Sequence, residues 1–538
     1  MTEQSFQDVM SKTAAQFLQS VVVLDDQVVC RPLPEAATTS QVASGLKYPG
    51  KKTTAKPDNP VSEPTEASGA NGNGRHTFEL FQVVHGFAAR GVVCGTLNPL
   101  VENDDGIVKA GILKAGKRAD IVILDWQIDD DKGRMAMDLI EKLMEADNEA
   151  RAARRRLVLI YTGDDVTDVK DTFDERFKKD FVGRNDEPYR DRNGFRVAFL
   201  SKPGGSSNLP EAVDFPELPE EAIKEFARMN SGLLSRAALR GLAVIRENTH
   251  RILSRFPPEL DGAYLAHRAM TTPPQAAEGH IGPLLASELE DVLAGAGLED
   301  SLGLEVVKQW LKESGAKNAE SIEKMLSEGA ENNPPEGKSK KQWSKSLKGN
   351  PHTLTEFIFD SPPEKAKNTD EQFAALTTLR FPSTTEHRMT LGTVVRQEGD
   401  SDDYWLCVTP ACDCVRLKNE RHKLFFLRCK SAGNSSKVHF LVPSDGEGAK
   451  YIPITVGFQI EDGHHWEFEP DPDKQMVLAE FCENGKSFLF PVTTQNTKLH
   501  WVAELKPAHA RRITHHFASK WSRVGVTEAE WLRRSSDL

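Results

Sequence analysis

The stretch RADIVILDWQIDDD, Arg118 to Asp131, decides how this chain is read. Ile121, Val122, Ile123 and Leu124 make a short β-branched apolar run, the composition of a strand buried on both faces of a parallel sheet. The run stops on an acid, Asp125, instead of a turn residue. In open α/β sheets, ligands bind at the carboxyl ends of the strands. Asp also commonly begins a solvated loop, so one strand does not decide between the two readings.

Working outward, other strands repeat the pattern. SVVVLDDQ (Ser20 to Gln27) is an apolar run ending on Asp25 and Asp26, and VVCGTL (Val92 to Leu97) is a second strand. LVLIYTGDD ends at Thr162, and RVAFLSKPGG ends at Lys202-Pro203. Helical patterns lie between them: TFELFQVVHGFAARG, a helix or loop over 99–117, AMDLIEKLMEADNEARAARRR and VTDVKDTFDERFKKDF. Strand and helix alternate five times, so the fold class is α/β, a five-stranded doubly wound parallel sheet with right-handed crossovers.

Phe6, Val9, Met10, Phe17 and Leu18 recur at helical spacing and predict a lead-in helix. Residues 31–75 collapse into Pro, Gly, Ser, Thr, Ala and Asn, a composition that buries too little to offset ordering entropy, and are expected to be a disordered insert. These features bound a first domain at 1–215. A helical region follows over 216–330, then a polar linker over 331–373. Short β runs such as YWLCVTP, KLFFLRC and KVHFLVPS mark a mostly-β domain over 374–538 that closes on a helix.

Bulk properties narrow the function. At 538 residues roughly three domains are expected, and a net charge of -12 argues against nucleic acid as the partner of the whole chain. No run approaches the ~18 apolar residues of a membrane span. The start, MTEQSFQDVMSK, is acidic where a signal peptide is basic, and seven scattered cysteines fit a reducing cytoplasm.

In a parallel sheet the four strand ends, Asp25-Asp26, Asp125, Thr162-Gly163 and Lys202-Pro203, lie on one rim. Clustered carboxylates repel one another, and a hard cation such as Mg²⁺ relieves that by taking oxygen ligands. A carboxylate there can attack a phosphoryl group and form an acyl phosphate, while the metal and a lysine neutralise the transferring oxygens. A threonine hydroxyl and a nearby N–H can bind the remaining oxygen.

These four strand ends in this order resemble a response-regulator receiver domain, over residues 20 to about 205. The resemblance implies that Asp25 and Asp26 bind Mg²⁺ together with Asp125 and the backbone carbonyl of Gln127. It also implies that Asp125 is the phosphoacceptor, Thr162 the switch hydroxyl, Lys202 the invariant lysine and Phe199 the switch aromatic. Two departures stand out. The loop after Asp26 is far longer than the family's, and Asp129 occupies a position that is usually proline, followed by Asp130 and Asp131. The haloacid-dehalogenase alternative needs a second Asp two residues after the nucleophile, where Gln27 and Gln127 stand, and is rejected.

Elsewhere, CVTPACDC (Cys407 to Cys414) has no paired zinc spacing, and GHHWEFEPDPD alternates like a strand with one wet face. The carboxyl-terminal helix is rich in Arg and His but shows no helix-turn-helix pattern and reads as a solvated amphipathic face. TPACDCVRL and SRVGVTEAEWLRR are similar to the region carboxyl-terminal to receiver domains in bacterial three-component, Detocs-like anti-phage systems. The expectation is therefore a cytoplasmic phosphoacceptor, not an enzyme beyond slow self-dephosphorylation. A sensor histidine kinase would phosphorylate it, and it would act as a phosphate sink beside a separate receiver-bearing effector in phage defence. The competing class is a response regulator with its own carboxyl-terminal DNA-binding or catalytic output. A third is a degenerate receiver serving only as an interaction module.

Overall fold

The computed structural model describes residues 5–29, 78–98, 105–149, 154–183, 187–205, 212–272, 274–314, 316, 318–380, 386–397, 403–418, 420–433, 437–444, 451–482, 487–493 and 497–521. The expected disordered insert at 31–75 and the SRVGVTEAEWLRR ending lie outside them. Two compact units are present where three domains are expected: residues 1–247 with 296–303, and residues 248–295 with 304–538.

The first unit begins with α1 (Phe6–Phe17), whose Ser5 and Asp8 cap it reciprocally. In chain order follow β1 (Ser20–Leu24), β2 (Val28–Val29), β3 (Phe78–Glu79), α2 (Leu80–Ala88), β4 (Val93–Leu97), α3 (Asp105–Arg118), β5 (Ile121–Leu124), α4 (Arg134–Glu149), β6 (Arg156–Thr162), α5 (Val166–Phe177), β7 (Tyr189–Arg192), β8 (Phe195–Ser201), α6 (Leu218–Met229) and most of α7 (Leu233–Ser254). Strands β5 and β6 are buried at every residue, as a two-sided parallel sheet demands. Val122, Leu124, Val158 and Ile160 share a core with residues of α3, α4 and α5. On the other face α6 packs on β6 and against α1 and α2, with Phe17 stacked on Phe226 at 5.8 Å.

The sheet order is β4-β1-β5-β6-β8-β7. This corrects the expectation of a purely parallel five-stranded sheet. The pairs from β4 to β8 are parallel, but β7 adds a sixth, antiparallel strand beside β8. The cause is local. Asn193 and Gly194 both have positive φ, 46° and 91°, the conformation that a tight hairpin turn requires and that Asn-Gly supplies at little strain. The polar strand YRDR (Tyr189 to Arg192) escapes a search for apolar runs because it lies at the sheet's edge. Its Arg190 is held by Asp174 at 2.6 Å.

The second unit continues with α8 (Asp261–Met270), α9 (Ile281–Ala294), α10 (Leu304–Glu313), α11 (Ala319–Glu328), α12 (Lys340–Gly349), α13 (Thr353–Phe359) and α14 (Pro363–Thr378). The stretch 331–373, expected to be a linker, thus carries helices α12, α13 and most of α14. Ser339 and Gln342 form a capping box at the start of α12, and the buried Trp343 donates from Nε1 to the Ala330 carbonyl at 2.8 Å. A polar composition conceals one buried indole.

Beyond it lie β9 (Thr393–Gln397), β10 (Asp403–Cys407), β11 (His422–Ser431), β12 (Phe440–Pro443), β13 (Tyr451–Val456), β14 (Gly463–Phe468), β15 (Glu480–Cys482), β16 (Ser487–Pro491), β17 (Lys498–Glu504) and α15 (Pro507–Trp521). The strands form one nine-stranded sheet whose pairs are antiparallel. It has two apolar cores. One includes Leu406, Leu427 and Phe440 with Ala510, Ile513 and Phe517 of α15; the other includes Cys407, Phe426, Trp466 and Phe490. In β14, Trp466 and Phe468 are buried while His465 is exposed, the alternation of a strand with one wet face.

Candidate functional site

Three parallel strands and a neighbouring loop build the rim. Strand β1 delivers Asp25, strand β5 delivers Asp125, and β6 ends on Thr162. Lys202 follows β8, and its backbone N–H donates to the Thr162 carbonyl at 2.7 Å, which continues the ladder and ties the last two positions together. Asp25, Asp125, Thr162 and Lys202 are all buried.

Lys202 Nζ lies 2.8 Å from Asp25 Oδ2 and 3.0 Å from Asp125 Oδ2, so one ammonium spans both carboxylates. The remaining oxygens accept backbone N–H groups: Gln27 donates to Asp25 Oδ1 and Trp126 to Asp125 Oδ1, each at 2.8 Å. Carboxylate oxygens of Asp25, Asp26 and Asp125 lie within 4.8 Å of one another. Burial pushes the Asp125 carboxyl up to about 7; Lys202 pulls it down, and Asp25 and Asp26 add to the rise. Burial also raises Asp25, against the pull of Lys202. Burial disfavours the Lys202 ammonium as well, but Asp125 and Asp25 together raise it above the ordinary lysine value.

This is an electrostatically incomplete site. One buried cation faces three clustered acids, and Asp26 Oδ1 is buried with no hydrogen-bond partner. A lone acceptor of this kind among carboxylates suits a hard cation with oxygen ligands. The residues fit Mg²⁺, and the cluster has the capacity to bind it.

The loop after β5 supplies the rest. Gln127 is held by its side chain: Nε2 donates to Asp164 Oδ2 at 2.7 Å, and Oε1 accepts the Lys132 N–H at 3.2 Å. Thr162 Oγ1 accepts the Asp164 N–H at 3.0 Å. Asp129 has φ 55° and donates its N–H to Asp26 Oδ2 at 2.9 Å. Asp131 accepts from the N–H groups of Gly133 and Met135 at the start of α4. Of the three acids that break the family pattern, one therefore positions a metal-site carboxylate through its backbone and one caps a helix. A Cβ at Gly133, which has φ 80°, would lie 2.3 Å from the Trp126 ring, so that glycine is what lets the indole seat beside Asp125.

Residues 17–207 match the family model for the response receiver domain. The N-terminal unit carries a response-regulator receiver domain. No curated protein and no solved structure matches the chain. The receiver rim gathers Asp25, Asp26, Asp125 and Lys202, with Thr162 one strand away; Phe199 is buried against Phe173, their rings 5.5 Å apart. The reading by residue type misses Asp164, which anchors Gln127, and the backbone role of Asp129. The adjacent acids of TGDD are a visible signal for the first; for the second there is none, because an N–H belongs to every non-proline residue.

The other sequence candidates among the described residues do not gather into a metal site. Among the described residues, the group of His, Cys, Asp and Glu close enough to hold a metal is Asp25, Asp26 and Asp125. Cys407 and Cys414 are buried while Cys412 is exposed. No helix among the described residues is long and apolar enough to cross a membrane.

Proposed function

We propose that this chain is a response regulator whose receiver accepts a phosphoryl group on Asp125 from a sensor histidine kinase and whose second unit carries the output. The observation that carries the reading is Lys202 bridging Asp25 and Asp125 on the strand-end rim. An Asp125 oxygen attacks phosphorus; the P–O bond forms as the P–N bond of the phosphohistidine breaks, and the leaving imidazole nitrogen takes a proton from solvent. Lys202 stays protonated and stabilises charge developing on the phosphoryl oxygens. Thr162 releases the Asp164 N–H and turns its hydroxyl to a phosphoryl oxygen. Asp25, Asp26, Asp125 and the Gln127 carbonyl would hold Mg²⁺, which would supply neutralisation of the charge on the same oxygens.

The double-cored sheet of the second unit favours an output over a sink, because draining phosphoryl groups needs no second organised unit. The sink reading, with a separate effector on the same kinase in phage defence, makes a different prediction for that unit. A phosphate-affinity gel with acetyl phosphate should shift the wild type and leave Asp125→Asn unshifted. Hydrogen exchange should then change within β9–β17 on phosphorylation. An unchanged second unit would return the chain to the sink reading, and a shifted Asp125→Asn band would remove Asp125 from its role.

A further inference from the structure

Helices α8 and α9 form an antiparallel hairpin. Arg255, just ahead of α8, meets Glu288 of α9 at 3.0 Å. At the other end the His267 and His280 rings lie 5.2 Å apart, and Arg268 meets Glu278 at 2.7 Å. Yet neither helix buries a single residue. At 10 and 14 residues they have lengths at which an isolated helix is marginal in water, and a helix in a folded protein draws its stability from a packed apolar face.

The apolar side chains of this hairpin are bare. Leu260, Leu265, Met270, Ile281, Leu284 and Leu285 are all exposed, Leu265 at 61% and Met270 at 86%. Single exposed leucines are ordinary on any surface, but a cluster of this size on one hairpin marks an interaction site.

We propose that this hairpin is the surface through which two copies of the chain pair. The exposed side chains amount to several hundred Å² of apolar area, on the scale of the roughly 800 Å² each partner buries in a standard interface. A two-fold axis lays the same patch on itself, so one hairpin supplies both sides. The charges around it exclude the polyanionic partners. From Arg255 to Asp291 there are six acids, Glu259, Asp261, Glu278, Glu288, Glu290 and Asp291, against two arginines. Nucleic acid and anionic lipid both need the opposite surplus. The local pairs Arg255–Glu288 and Arg268–Glu278 use both arginines within the hairpin, so the pairing rests on the apolar side chains.

The test is the mass of the full chain in solution, by sedimentation from nanomolar to tens of micromolar. The wild type should reach the mass of two chains. Leu265→Glu with Leu284→Glu should raise the dissociation constant at least about 100-fold, leaving a single chain over most of the range. Near-UV dichroism of the tryptophan-rich carboxyl-terminal sheet should be unchanged, which separates lost pairing from lost folding. A second readout needs no mutation: helical content of the wild type should fall on dilution as the hairpins separate. A wild type that stays single throughout would overturn the proposal and leave the face to a different protein. A dimer that survives the double substitution would place the interface elsewhere and overturn it as well.

Discussion

Lys202 and Asp25 meet at 2.8 Å across 177 positions of sequence, both of them buried. The lysine proposed to serve phosphoryl transfer therefore also holds together a rim that would repel itself. Removing it leaves Asp25 and Asp125 uncompensated. Lys202→Met should cost the receiver about 3–5 kcal/mol in EDTA, a fall of roughly 10 °C in its unfolding midpoint, and Mg²⁺ should recover much of that loss. Calorimetry of both proteins with and without Mg²⁺ checks it. An unshifted midpoint in EDTA would show that the pair contributes nothing to folding.

The acids make stability depend on pH in an unusual direction. Asp125 is raised to about 7 in the folded chain, from about 3.9 for an unfolded carboxyl, by burial first and then by its acidic neighbours. The folded state thus holds the extra proton between those values. Its contribution is complete below pH 4 and lost as pH rises through about 7. Asp25, also raised by burial, adds in the same direction, whereas the raised Lys202 does so only above its ordinary range near 10.4, outside this window. Without metal, urea denaturation should find the receiver more stable at pH 5.5 than at pH 8, and Asp125→Asn should flatten the slope. Equal slopes for the two proteins would contradict the raised value.

At Asp129 the family's usual proline would be incompatible with this structure. Proline locks φ near −65° and has no N–H, whereas Asp129 sits at φ 55° and donates to Asp26. Asp129→Pro should destabilise the receiver by more than about 1 kcal/mol and weaken Mg²⁺ binding, while Asp129→Gly keeps both. Metal titration followed by Trp126 fluorescence discriminates the pair.

Gly133→Ala introduces a methyl where the Trp126 ring lies and a side chain where φ is 80°. It should cost about 1–3 kcal/mol and slow phosphoryl uptake without touching an acid. Uptake at the wild-type rate would show that the indole does not position Asp125.

Much of the rim is legible in the sequence because each polar group closes an apolar run, and a parallel sheet forces such ends together. Asp25, Asp125, Thr162 and Lys202 fall in this class. The backbone contribution of Asp129 is not legible, since its left-handed φ comes from a loop folding back toward Asp26. Strand β7 is partly legible: Asn193-Gly194 is a strong hairpin signal, but YRDR carries the polarity of an edge and fails a test built on buried runs. Trp343 escapes for the opposite reason, one indole organising a stretch whose average composition reads as a linker.

The β7–β8 hairpin also determines what the receiver sheet refuses. An open sheet ends in a row of unpaired N–H and C=O groups that any extended chain can join, the seed of strand exchange and aggregation. Here β8 has its partner from its own chain, and the strand beyond it is four residues long, with Arg190 and Arg192 tied to Asp174 and Asp180. So short and charged a border is a poor template for growth. On that side, a neighbouring molecule at high concentration meets a border of four residues, with Asp191 already bridged to Val182 of its own chain.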